Sequence, residues 1–449
     1  MTDSESEDLG LTTELIIFPA FNLGNSELCY FLKSLSDDGL LDKLLLICSR
    51  DFFTEFQSPV QHCIIDEFTS FPTLVKKIEA WGKEYGFRFK GVLSIDEELQ
   101  FKLSKSIARH FGLEFHEDLT CFLASNKFLL KTFFQKYGVP SSGFSLLSTL
   151  DPERIRQVGF PNVLKVISGS QSQYIFYNEN MKQLKKNFSR LKHAIARING
   201  DPRFKKQSFF LEGRRITFNP KRQFLLEAYT PGEEYSCDFI LQSHEVQLIR
   251  VAKKIQGPYF GYFNGYQLLN EEDLIQNHID QANLVEICRR ISQSLGLHTG
   301  LCMVDFKVHQ GKISVLESSI RPGLSAFNHL MYAIYGYTSL ALLAMQKMGM
   351  KISVRIPDSN GAVVYIYTLQ KEIHQPFDTS ELEKLKVQLN ILYIHKYEDK
   401  PTAGMAPDLD HSRLIRGYVL VKNPDKKDLA GLITLIHAKA RLCTTELAA

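Results

Sequence analysis

Short apolar runs alternate with helical periodicity through the first hundred or so residues, and that alternation limits the fold more than any other feature of the chain. Glu14-Leu15-Ile16-Ile17-Phe18 reads as a strand entering a Gly-containing loop, Asn22-Leu23-Gly24-Asn25. An apolar-periodic helix follows through Leu28, Phe31, Leu32 and Leu35. Further short strands are expected at Lys43 to Ile47, Cys63 to Ile65 and Gly91-Val92-Leu93-Ser94, and a helix from Phe101 to Phe111 that stops at Gly112. Strands separated by helices imply parallel pairing and a doubly wound α/β layer.

The 449 residues suggest about three domains. A formal net charge of +3 leaves no basic excess to make nucleic acid the main partner. Residues 1–10 are acidic without an apolar run, and read as a frayed tail rather than a secretory or transit signal. No window has the roughly eighteen apolar residues of a membrane helix. The eight cysteines, at 29, 48, 63, 121, 237, 288, 302 and 443, are scattered through apolar contexts without Cys-x-x-Cys spacing. They read as buried small hydrophobes in a reducing cytosol, so a cytoplasmic protein is expected. The 13 histidines show no zinc-ligand spacing.

A second region begins near Thr120. Asn126-Lys127-Phe128-Leu129 opens a helix that ends at Tyr137-Gly138, before Val139-Pro140. The strand Pro161 to Ile167 carries Lys165, and the loop Ser168-Gly169-Ser170-Gln171-Ser172 leads to a return strand at Tyr174 to Tyr177. Such a loop can lay backbone N–H groups over phosphates without a helix N-terminus. Arg203 to Arg222 holds seven basic residues and one acid, interleaved with Phe204, Phe209, Phe210 and Phe218. Its lack of periodicity favours a solvated, mobile insertion. Strands are expected at Phe224 to Tyr229, Glu233 to Ile240 and Val246 to Ala252, the last carrying Arg250. Pro258 to Tyr266 is aromatic and rich in glycine, either lining a pocket or packing as a surface loop. One helix is expected from Glu272 to Leu295, with Gly296 as its stop. A smaller α/β portion follows from about Ile352, with strands at Ala362 to Tyr367 and Tyr418 to Val421 and a last helix from Asp428 to Leu442.

The best clue to chemistry is a hairpin bearing Asp305 and Glu317, with Gln310-Gly311-Lys312 as its turn and Ser318-Ser319-Ile320-Arg321-Pro322-Gly323 beyond it. A three-residue loop sets the two acids opposite each other on one face, whereas a two-residue loop at Gln310-Gly311 sends them to opposite faces. Two carboxylates about 4 Å apart at an effective dielectric near 20 repel by roughly 4 kcal/mol, so a facing pair calls for a divalent cation, a proton or an arginine. Oxygen-only ligands favour magnesium or manganese. The alternative is an exposed hairpin whose acids are simply solvated.

In this order the elements resemble the ATP-grasp superfamily, and within it the carboxylate–amine ligases related to D-alanine–D-alanine ligase and amino-acid ligases. The likeness covers Leu15 to Leu442 in layout and is most specific over Lys127 to Gly323. It implies a pre-ATP-grasp α/β domain over 11–119, two α+β subdomains clasping ATP over 120–229 and 230–348, and a small α/β subdomain over 349–449. The resemblance further implies that Lys127, Lys165 and the loop Ser168, Gly169, Ser170 and Ser172 contact nucleotide phosphates. It implies that the backbone of Ala228 and Tyr229 reads the adenine edge with Glu227 on its amino group, and that Glu234 binds ribose. Asp305, Glu317 and Ser319 would ligate magnesium or manganese. Arg321 would hold the transferred phosphate or developing oxyanion, helped by Arg250. Three positions depart from the family pattern: Ser319 stands where asparagine is usual, Tyr174 where glycine is, and Val166 where proline is.

The implied activity joins a small carboxylate to an amine through an acyl phosphate, releasing ADP and phosphate. Many relatives are homodimers through the N-terminal layer, although no interface is marked here. A nucleotide-binding relative without ligase turnover is the main rival reading. A third makes the basic aromatic segment a docking surface for nucleic acid or protein.

Overall fold

A computed structural model describes residues 13–21, 25–50, 53, 60–68, 70–95, 99–169, 173–257, 260–324, 326–367, 379–397, 415–424 and 429–441. The expected tail at 1–10, Ser170, Ser172 and Tyr259 fall outside them, as do Asp428 and Leu442 at the limits of the expected last helix. The chain divides into two units: one runs to His116 and takes in Leu340–Ile352, and the other holds Glu117–Ser339 and the residues from Ser353 onward.

In the first unit β1 (Glu14–Pro19), β2 (Leu44–Cys48), β3 (His62–Ile65) and β4 (Arg88–Val92) form a parallel sheet of order β3-β2-β1-β4. Leu15, Ile17, Leu45 and Ile47 pack with Leu74 and Ile78 of the helix Phe71–Tyr85 and with Leu103 and Ile107 of the helix Leu99–His110. Ser70 accepts from the Thr73 N–H at one end of the former helix, and Gly86 at φ 71° closes the other. The α/β layer expected from the alternation is present.

The second unit contains β5 (Phe144–Leu147), β6 (Asn162–Val166), β7 (Ile175–Asn178), β8 (Gln207–Leu211), β9 (Arg214–Phe218) and β10 (Phe224–Ala228). Four of these make an antiparallel sheet of order β5-β10-β6-β7, covered by Leu184, Phe188, Leu191 and Ile195 of the helix Met181–Ala196. The chain continues through β11 (Glu233–Gln242), β12 (Glu245–Gln256), β13 (Phe263–Leu269), β14 (Gly300–His309), β15 (Lys312–Ser319), β16 (Gly361–Tyr367), β17 (Ile391–Lys396) and β18 (Ile415–Lys422). These eight form one antiparallel sheet, ordered β15-β14-β11-β12-β13-β16-β18-β17.

Past residue 349 the large sheet continues, because β16 pairs with β13 and carries β18 and β17 into the same layer. Two expectations are corrected. The helix expected from Glu272 to Leu295 is two, Glu271–Gln276 and Gln281–Leu295. His278 at φ 55° turns the chain, Asp280 caps the second helix by accepting from Ala282 and Asn283, and Ile275, which a single buried helix would place on its apolar face, is 75% exposed. The basic segment contains the hairpin β8–β9, closed by Glu212 and Gly213 at φ 50° and 76° and anchored by Phe209 stacking on Phe122 at 4.2 Å. Alternation was hidden there because Phe210 points outward and is 74% exposed.

Candidate active site

Asp305 and Glu317 are direct partners in the β14–β15 ladder, by a route different from the one expected. The turn has two residues, Gln310 and Gly311 at φ 50° and 73°, closing His309 on Lys312. A regular ladder from that turn would set Leu316 opposite Asp305 and send Glu317 to the far face. The register instead shifts between Asp305 and Phe306, where Phe306 pairs with Val315 and Asp305 with Glu317. Leu316 is the extra residue of a β-bulge, and the bulge restores the facing acids.

Both acids line a cavity of about 340 Å³, as do Lys127, Lys165, Gly169, Glu227, Ala228, Tyr229 and Glu234. All belong to the second unit. Lys127 follows directly on its helix cap, since Asn126 Oδ1 accepts from the Leu129 N–H at 3.1 Å, and its ammonium pairs with Glu317 Oε2. Lys254 was not singled out by the sequence. Its Nζ lies 2.8 Å from Asp305 Oδ2 and 2.9 Å from Glu234 Oε1. Lys165 Nζ sits 3.0 Å from Glu227 Oε2. Lys131, one helical turn after Lys127 and also missed, is 1% exposed, with Nζ 3.7 Å from Glu227 Oε1 and donating to Val315 O at 3.1 Å.

Burial and charge compete at each of these groups. Burial opposes ionisation of Glu317, but the ammonium groups of Lys127, Lys165 and Lys254 outweigh it and pull the carboxyl down to about 2. Glu227 is likewise held below the usual carboxylate range by Lys131 and Lys165 in spite of its burial. Burial would neutralise Lys254, but Asp305 and Glu234 hold its ammonium above the usual lysine range. At Lys131 burial prevails over the pull of Glu227, and the ammonium is pushed down to about 8. Asp305 Oδ1 is buried with no hydrogen-bond partner among the described residues. Two facing carboxylates with an unsatisfied oxygen suit a hard divalent cation. Among the described residues no group of three or more His, Cys, Asp or Glu side chains is placed to hold a metal ion.

The other expected residues are placed as follows. The N–H groups of Ala228 and Tyr229 donate to Gly143 O at 2.8 Å and Pro161 O at 3.0 Å, and are therefore engaged within the protein. Ser168 is buried and is not among the cavity-lining residues. Tyr174 takes the left-handed φ of 58° that glycine would favour, and its ring turns into the core beside Phe204. Phe260, Gly261 and Phe263 line the cavity, while Tyr262 and Tyr266 pack into the core beside Phe327 and Tyr365, so the described part of the aromatic segment is pocket wall on one side and core on the other. Ser319 pairs with Met303 farther along the ladder and does not line the cavity. Arg321 is half-buried, with Nη1 donating to Pro322 O at 2.9 Å. Arg250 is fully buried, 2.8 Å from Asp238 and 3.7 Å over the Phe327 ring. Neither arginine lines the cavity.

No family model and no curated protein sequence matches the chain. Solved structures do. An L-amino acid ligase from Bacillus licheniformis superposes with a TM-score of 0.67 at 15% identity, covering 95% of this chain and 98% of that one. An N5-carboxyaminoimidazole synthase from Aspergillus clavatus, in complex with ADP and 5-aminoimidazole ribonucleotide, gives 0.65 at 13%, over 96% and 99%. A phosphoribosylglycinamide synthetase from Anaerococcus prevotii gives 0.58 at 12%, over 95% and 98%. The chain has the fold of the ATP-grasp carboxylate–amine ligases. The likeness in fold extends over nearly the full length of both chains.

Proposed function

We propose that this protein is an ATP-dependent ligase that activates a small carboxylate as an acyl phosphate and passes it to an amine, releasing ADP and phosphate. The observation that carries the reading is the facing pair Asp305 and Glu317, set with Lys127, Lys165 and Lys254 in the cavity that also meets strand β10. Lys127 and Lys165 supply compact point charges for phosphate oxygens. Lys254 would add a third positive charge for the phosphates, and Glu234 beside it would accept from the ribose hydroxyls. Asp305 and Glu317 would hold magnesium, which when bound supplies charge neutralisation to the transferring phosphoryl group. Arg321, on the segment leaving β15 and outside the cavity lining, would reach the developing oxyanion only after moving inward. Because the Ala228 and Tyr229 N–H groups are engaged, base recognition would rest on carbonyls and side chains.

The test is release of ADP and phosphate from ATP and magnesium with pools of small carboxylates and amines, beside an Asp305→Asn/Glu317→Gln control. Release that depends on the pool and is lost in the control supports the ligase. Placement of Ser319, Arg250 and Arg321 away from the cavity lining favours a second reading, a regulatory nucleotide-binding relative. Tight ATP binding without release from any pool would select it.

A further inference from the structure

The acid pair depends on a bulge, and a bulge on an edge strand needs something to hold it. Strand β15 is the outermost strand of the large sheet, so on its outer side the backbone has no ladder neighbour among the described residues. Val315, the residue just before the extra Leu316, is nevertheless satisfied on that side at both backbone groups. Its N–H donates to Pro140 O at 2.7 Å, and its carbonyl accepts from Lys131 Nζ at 3.1 Å. The same ammonium faces Glu227 on β10, in the four-stranded sheet of this unit. Lys127, on the same helix face one turn earlier, reaches Glu317. A lysine is an expensive group to bury for packing alone, since desolvation of its charge must be offset by good partners. Lys131 has two, and they belong to the two strands that bear the proposed cation and nucleotide groups.

We propose that Lys131 is a positioning residue: by holding the Val315 carbonyl beside the bulge and the Glu227 carboxylate together, it makes cation binding and nucleotide binding one coupled event. The coupling rests on the nucleotide-dependent reading above, whereas the hold on β15 does not.

The test uses the full chain as Lys131→Met, Lys131→Arg and the charge-neutral Lys131→Met/Glu227→Gln. Two quantities are measured: amide hydrogen exchange of ligand-free protein, and ADP affinity with and without saturating magnesium. In Lys131→Met the gain in ADP affinity conferred by magnesium should fall by about fivefold or more. Affinity without magnesium should change by less than about threefold, because Lys165 still holds Glu227. Lys131→Arg, which keeps a donor, should recover most of the coupling. Exchange over β15 should rise by about tenfold in Lys131→Met while β11 is unchanged. Unchanged coupling together with unchanged β15 exchange would overturn the proposal, as would a uniform rise across the whole sheet, which marks a merely structural ion pair. If Lys131→Met does not fold, the double variant, which keeps the net charge of the native site, decides by its β15 exchange, and failure of both to fold also overturns the proposal. If native protein binds neither ADP nor magnesium, the functional reading fails, and the exchange of β15 alone decides the role of Lys131.

Discussion

Lys254 sits between two acids from different strands, and its charge is the counter-ion of both. Removing it as Lys254→Met leaves Glu234 and Asp305 without that cation. The variant should lose about 3–5 kcal/mol, the usual cost of breaking a buried pair. Magnesium should then raise its melting temperature more than it raises the native one, and thermal melts with and without the ion check this. Glu317 makes stability depend on pH. Its folded carboxyl lies near 2 against an ordinary 4.5, so the stabilisation is present above pH 4.5 and lost as pH falls towards 2. Denaturant melts across that window should show a slope that flattens in Glu317→Gln. At this scale the acids were legible from residue type and hairpin spacing, whereas Lys127 and Lys165 were singled out only through the family resemblance. Lys131 and Lys254 were not, since a lysine on a helix or strand is ordinarily solvated and only burial distinguishes these two.

Strand β11 starts at Glu233, directly after Gly232, which has a φ of 101° and whose hydrogen faces Val308 O on β14 so closely that a Cβ would overlap it. Gly232→Ala should therefore cost about 1–3 kcal/mol and weaken nucleotide binding, because the wall of the cavity moves with β11. Gly86→Ala is the control: φ is 71° but nothing lies within 4 Å of its Cβ, so it should cost about 1 kcal/mol and leave binding intact. Equilibrium unfolding and ADP titration of both variants separate crowding from backbone strain. The hairpin β14–β15 was legible as a hairpin, yet its register was decided by a bulge that turn length alone does not forecast. The helix break at 277–280 was missed because Ile275 and Ile279 continue the apolar spacing, although Asp280 is an ordinary cap signal.

Arg250 fixes a buried junction in the second unit. Asp238 accepts from Arg250 at 2.8 Å, from the Gly323 N–H at 3.1 Å and from Ser339 Oγ at 2.7 Å, and a Cβ at Gly323 would overlap the guanidinium. Arg250→Met should cost about 3–5 kcal/mol by leaving Asp238 short of its charge partner, and chemical denaturation reads it directly. Because the cavity is lined wholly by the second unit, ADP at about 100 times its Kd should stabilise the fold by about 2.7 kcal/mol, with exchange protection concentrated between residues 117 and 339. Among the described residues no helix is long and apolar enough to cross a membrane.

What the amino-acid sequence determined by itself is local: the parallel layer of the first unit, the helix opening at Lys127, the strand bearing Lys165 and the hairpin bearing both acids. These follow from periodicity, caps and turn residues, which act over a few neighbours. The tertiary structure decided which charges meet. Lys127 and Glu317 are 190 residues apart in the chain, and Lys131 and Val315 are 184. Electrostatic pairing depends on distance in space and on the exclusion of water, and both are set only when the sheets close over the helix between them.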